Sequence, residues 1–172
     1  MKLLIAYYSH DGEAFVAGQI KALEKGNTRV AAEMIEKLTG GTLFRIETVK
    51  SYPYDYKESV KIAVEEYKEK ARPELKGDLP SLSSYSDIII AYPNWCGTMP
   101  MPVYTFIEAL KWDGKNVYPL CTNEGSGLAK SEDEIKKECV GATVAKGLSL
   151  RGCKVAESED KIKEWLEKNN LL

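Results

Sequence analysis

The run Asp87-Ile88-Ile89-Ile90-Ala91-Tyr92 constrains the fold more than any other stretch. Its β-branched side chains follow one another without the polar alternation of a half-wet strand, so it reads as a strand buried on both faces. A sheet covered on both sides is the mark of helices packed above and below mostly parallel strands, and this strand belongs near its centre.

The rest of the chain supplies the partners. Leu3 to Tyr8 is a second apolar run, followed by Ser9 and His10. The segment from Asp11 to Lys25 is roughly three times the usual strand-to-helix connection and reads as an insertion. Ala17-Gly18 within it suits a hairpin turn, and a short helix fits nearly as well. As a packed surface excursion it has no expected catalytic role. From Thr28 the residues Val30, Ala31, Met34, Ile35 and Leu38 recur at helical spacing up to the stop at Gly40-Gly41. Thr42 to Ile46 is the next strand, giving a right-handed β-α-β unit.

Tyr52-Pro53-Tyr54-Asp55-Tyr56 is a loop, and Val60, Ala63, Val64, Tyr67 and Ala71 then mark a helix face. The clustered tyrosines suit either a site or cover for the sheet. Past the central strand come Pro93-Asn94-Trp95-Cys96-Gly97-Thr98 and a helix carrying Val103, Phe106, Ile107 and Leu110, with Met99 and Met101 expected to pack at its start. Asn116 to Cys121 is a fourth strand, although Pro119 cannot donate to a ladder. After Thr122-Asn123-Glu124-Gly125-Ser126-Gly127, the sequence Ser131-Glu132-Asp133-Glu134 has the form of a capping box. Ala142 to Lys146 is a short fifth strand, Leu148 to Cys153 an extended tail, and a last helix starts near Ser158. Five strands alternating with helices predict a doubly wound three-layer α/β sandwich with a parallel sheet, in one domain over 1–172.

Composition closes off several functions. The formal net charge of -2 leaves no basic stripe for nucleic acid and no cationic face for a membrane. Cys96, Cys121, Cys139 and Cys153 form no C-x-x-C pair, so no zinc or dithiol motif is spelled out, and reduced thiols fit a cytoplasmic protein. No apolar run approaches the roughly 20 residues that span a bilayer. No metal site is indicated.

In such sheets ligands bind beyond the carboxyl ends of the strands. The loops after the first, third and fourth strands are the richest in small polar residues. Ser9, Asn27 and Thr28 offer hydroxyl and amide donors where a helix begins, and a helix N-terminus holds a phosphate without needing Lys or Arg. Neither a Walker loop nor G-x-G-x-x-G is present.

Taken together, Tyr7-Tyr8-Ser9 with Gly26-Asn27-Thr28, Tyr92 to Pro100, and Thr122 to Gly127 resemble the three flavin-binding loops of flavodoxin-like proteins. The resemblance implies sheet order 2-1-3-4-5 and FMN as cofactor. Its phosphate would lie on Ser9, His10, Gly26, Asn27 and Thr28. Its ring would lie between Pro93, Asn94, Trp95, Cys96 and Gly97 on one side and Thr122, Asn123, Glu124, Gly125, Ser126 and Gly127 on the other. Trp95 is the matching aromatic for one ring face, and a carbonyl near Trp95-Cys96-Gly97 would turn toward the flavin. The third-loop glycines would bring backbone N–H donors to the pyrimidine edge. Glu124 would either lower the flavin potential or stay solvated. The third loop lacks the tyrosine that covers the outer face in many electron carriers, so Tyr54, Tyr56 or Trp112 would serve, or the face is open.

The expected function is a low-potential FMN electron-transfer protein, with an NAD(P)H-dependent quinone or flavin reductase as alternative and a flavin-free interaction module behind both. Redox proteins or a small electron acceptor are the expected partners, and the chain is expected to be a monomer or weak homodimer. The phosphate assignment requires both ends of the 11–25 insertion to return to one place.

Overall fold

In a computed structural model describing residues 2–172, strand β1 (Leu3–Tyr7) sends alternate side chains to opposite sides. Leu4 and Ala6, joined by Tyr8, enter one core; Leu3, Ile5 and Tyr7 enter another. Strand β5 (Asp87–Pro93) divides likewise, with Ile88, Ile90 and Tyr92 on one side and Ile89 and Ala91 on the other. Both faces of the sheet are therefore dry, as the unbroken β-branched run requires.

Helices α1 (Asn27–Thr39) and α5 (Glu159–Lys168) cover one face through Ala31, Ala32, Ile35, Ile162 and Leu166. The other face lies under α3 (Met101–Glu108) and α4 (Ser131–Glu138), with Phe106, Ile107 and Ile135 in that core. Helix α2 (Tyr56–Glu69) packs on the same side through Tyr67. Met99 and Met101 are buried at the start of α3.

The sheet is six-stranded and runs β4 (Thr42–Arg45), β1, β5, β6 (Asn116–Asn123), then β7 (Thr143–Val144), with β8 (Leu148–Arg151) also paired to β6. Every pairing in it is parallel. Since β7 and β8 lie one after the other along the same edge of β6, the order is 2-1-3-4-5, as expected. The segment from Leu148 is thus no extended tail: its first four residues are the second half of a split fifth strand.

Pro119 explains the split. The Asn116 N–H donates to Ser86 O on the β5 side, whereas the Val117 carbonyl accepts from the Ala145 N–H on the other side. Backbone groups alternate along a strand, so Pro119 faces the same way as Val117. Its missing N–H falls opposite the break between β7 and β8, where no ladder bond is called for. The Gly147 N–H in that break donates instead to Glu132 of α4 at 2.8 Å.

Of two local expectations, the hairpin holds and the capping box is corrected. Residues 11–25 form an antiparallel hairpin of β2 (Gly12–Val16) and β3 (Gln19–Leu23), turning at Ala17 and Gly18, both of which have positive φ. Ser131 opens α4 without capping it: its hydroxyl donates to Leu128 O and accepts from Tyr92 OH at 2.8 Å. Complete burial of Ser131 committed it to the core rather than to a capping box. No helix among the described residues is long and apolar enough to cross a membrane.

Candidate functional site

The two ends of the hairpin insertion do return to one place. Gly26, the residue before α1, offers no side chain to cap the helix, and the Arg29 N–H is taken instead by Ser9 Oγ at 3.1 Å. A Cβ at Gly26 would lie 2.3 Å from Ser9 Oγ and 2.4 Å from the His10 carbonyl oxygen, so glycine is what lets the chain close here. Asp11 fastens the closure: it accepts from the Gly26 N–H at 2.7 Å, from Arg45 at 2.8 Å and from Arg29 at 3.2 Å. Burial alone would push the Asp11 carboxyl up; these hydrogen bonds and the charges of Arg45 and Arg29 outweigh it and hold the group below the usual carboxylate range.

With the Arg29 and Val30 N–H groups engaged, those of Asn27 and Thr28 remain at a helix end that carries no acidic residue in its first turn. The Thr28 hydroxyl is tied to that of Thr122 at 2.7 Å, joining the first loop to the end of β6. His10 is aimed elsewhere. Its Nε2 lies 2.8 Å from Pro53 O, an acceptor, so this nitrogen carries the proton and donates away from the helix. A bond from His10 to a phosphate would have to come from Nδ1.

Pro93, Asn94, Trp95 and Cys96 line the same cavity as Ser9 and Thr28. Trp95 is half-buried and clamped edge-on, its ring centre 5.3 Å from Tyr8 and 5.2 Å from Tyr52. Tyr52 is in turn held by Glu66 at 2.6 Å, and burial pushes the carboxyl of Glu66 up. Trp95 and Thr98 exchange backbone hydrogen bonds around Cys96 and Gly97, which both have positive φ. That is a type I′ turn, so the Trp95 carbonyl is spent on the Thr98 N–H. The Gly97 carbonyl accepts from the Lys130 N–H.

The third loop differs from expectation in its donors. Asn123 Oδ1 accepts from the N–H groups of both Gly125 and Gly127, at 3.0 and 2.9 Å. Those amides are internal to the loop and are not free for a ligand edge; Asn123, Glu124 and Ser126 line the cavity. Asn94 stitches the second loop to the third, donating to Gly127 O and accepting from the Gly97 N–H. Gly26, Gly97, Gly125 and Gly127 shape the loops without lining the cavity. Glu124 is a latch rather than a solvated charge. Its carboxylate accepts from the Cys153 N–H at 2.8 Å and from the Ala17 N–H, at the hairpin turn, at 3.3 Å.

The cavity has a volume of about 360 Å3, within the size range of small-molecule and cofactor sites. Two of its walls were not foreseen. One is the hairpin, through Glu13, Ala14, Phe15 and Leu23, which removes the expectation of a mere surface excursion. The other is α2, whose Tyr56, Ser59, Val60, Ala63 and Val64 recur at helical spacing on the cavity side. That periodicity was visible in sequence, but not which surface it faced. Among the tyrosines, Tyr56 lines the cavity and stacks on Phe15, while Tyr54 is exposed. Trp112 is buried in the core with its indole N–H on Ile107 O, so it is not available as a cover.

A helix terminus with the Asn27 and Thr28 N–H groups left over, an aromatic wall and a polar loop edge around one cleft fit a phosphate-bearing planar ring. The family model described as flavodoxin matches residues 2–169. A proposed flavoprotein from Bacteroides uniformis is 28% identical, with a TM-score of 0.73 over 96% of this chain and 97% of its own. One from Bacteroides eggerthii is 27% identical, with a TM-score of 0.76 over 97% and 96%. A flavoprotein from Lactobacillus acidophilus, solved in complex with FMN, shares the fold at 20% identity and a TM-score of 0.65, over 94% and 98%. No curated protein matches in a sequence search.

Proposed function

This chain belongs to the flavodoxin family, and from that premise we propose that it binds FMN in the cavity at the carboxyl end of its sheet and acts as an electron-transfer protein. The observation that carries the reading is the convergence of Ser9, Thr28, Trp95, Asn123 and Ser126 on one cavity from three separate loops. The Asn27 and Thr28 amides and the Ser9 region would take the phosphate, as a helix N-terminus holds a dianion. Trp95, held rigid by Tyr8 and Tyr52, would meet one ring face, and Asn94 keeps the two ring-side loops at fixed separation. Bound FMN supplies the one-electron chemistry; the chain orients it and sets its surroundings. Redox proteins or a small acceptor would meet the exposed ring edge, in the cytoplasm.

A second reading, an NAD(P)H-dependent quinone or flavin reductase, draws on the absence of an aromatic side chain from Thr122 to Gly127. One experiment separates the two. The FMN-loaded protein, kept anaerobic, is mixed with NADH or NADPH and, separately, titrated with dithionite. Two resolvable one-electron steps with dithionite and no fast bleaching by pyridine nucleotide are expected; bleaching within seconds by either nucleotide would favour the reductase. A purified protein with no flavin absorbance that fails to take up FMN would overturn both.

A further inference from the structure

We propose that the hairpin Gly12–Leu23 is the cover of the bound ring, with Phe15 as its contacting side chain. The proposal rests on the FMN reading above and assigns to the insertion the task that the third loop, lacking an aromatic, cannot perform.

Phe15 is 46% exposed, which is unfavourable for a large apolar side chain unless something packs on it. It lines the cavity and stacks on Tyr56, ring centres 6.4 Å apart at 29°, so the two rings form one aromatic pair on that wall of the cleft. Val60 and Ala63 continue that wall along α2.

The hairpin is also fixed at both ends, as a positioned wall must be. At its base the Glu13 N–H donates to Tyr54 O at 2.9 Å, and Glu13 Oε2 accepts from the Tyr56 N–H at 3.0 Å. At its tip Ala17 is held by Glu124. The hairpin thereby spans from α2 to the third loop, closing a side of the cleft that the three flavin loops leave open. A planar heteroaromatic ring is the ligand class such a wall suits, since aromatic faces add attraction beyond the area they bury.

The test uses the full chain. FMN and riboflavin affinities and the FMN dissociation rate are measured for wild type, Phe15→Ala, Phe15→Leu, Phe15→Trp and, as a control at an exposed apolar residue that does not line the cavity, Val140→Ala. Phe15→Ala should bind FMN about tenfold more weakly, mostly through faster release, with the same factor lost for riboflavin because the ring and not the phosphate is affected. Phe15→Trp should restore affinity and Phe15→Leu should not, which separates ring stacking from simple filling and from loss of the hairpin. Val140→Ala should bind like wild type.

If wild type binds FMN and Phe15→Ala stays within about twofold of it, or loses FMN but not riboflavin affinity, the cover assignment is wrong while the family reading stands. If wild type binds no FMN, the reading beneath it has failed.

Discussion

The hydroxyls of Thr28 and Thr122 lie 2.7 Å apart although 94 positions separate them, and both residues are buried. The bond clamps the start of α1 to the end of β6. Replacing either threonine by valine leaves its partner a buried, unsatisfied hydroxyl, and each single variant should lose about 1–3 kcal/mol. The double variant should lose clearly less than the sum, because no orphan remains. Urea unfolding of the ligand-free protein through a double-mutant cycle checks this.

Asp11 predicts a pH signature. Its folded-state pKa is depressed, so its contribution to stability is complete above the unfolded value, about pH 4, and is lost as pH falls through the lower folded value. Asp11→Asn should therefore be less stable than wild type by about 1 kcal/mol at pH 7, the ion pairs being partly solvated. Below the carboxylate range the gap should shrink toward nothing. Urea midpoints for both proteins at pH 7 and pH 3 measure it; a gap unchanged at pH 3 would contradict the assignment.

Removing the Asn123 side chain strips the shared acceptor from the Gly125 and Gly127 N–H groups. Asn123→Ala should cost about 1–2 kcal/mol of stability. Amide hydrogen exchange at 125 and 127 should speed up, while amides in β5 keep their protection. Unaltered exchange at both glycines would show that the loop holds its shape by other means.

Gly26→Ala tests the phosphate end alone. Gly26 has φ of -61°, which any residue adopts, so the whole penalty comes from the Cβ against Ser9 and the His10 backbone. Overpacking of this kind costs about 1–3 kcal/mol. If α1 holds the phosphate, the variant should lose FMN affinity more than riboflavin affinity, in contrast to the equal loss for the two ligands expected at Phe15. Equal losses for the two ligands would place the phosphate elsewhere.

Much of the architecture could be read from residue order because its strands are buried on both faces, and an unbroken run such as Ile88-Ile89-Ile90 has few other uses. The convergence of the three loops followed from strand ends and small polar residues. Other features depend on partners that local pattern does not encode. The helical stripe Tyr56, Ser59, Val60, Ala63 is equally consistent with a sheet or a cleft beneath it. Glu124 became a latch only because the hairpin turn comes within reach, 107 positions away. Asn123 absorbed the glycine amides through a turn whose shape those glycines themselves permit. The Ser131 motif misled because the helix start is enclosed by Tyr92 and Leu128, leaving its hydroxyl other partners.

The split opposite Pro119 bears on how the protein behaves in a crowded solution. The margins of its sheet are the four-residue β4 on one side and, on the other, β7 and β8 with two and four residues apiece. A long straight margin would be a template on which another chain could add its own strand. Interrupted fragments present only brief rows of backbone donors and acceptors, and an added strand would lose register at the gap. A proline inside the sheet thus coincides with protection at its rim, against self-association in fibrils.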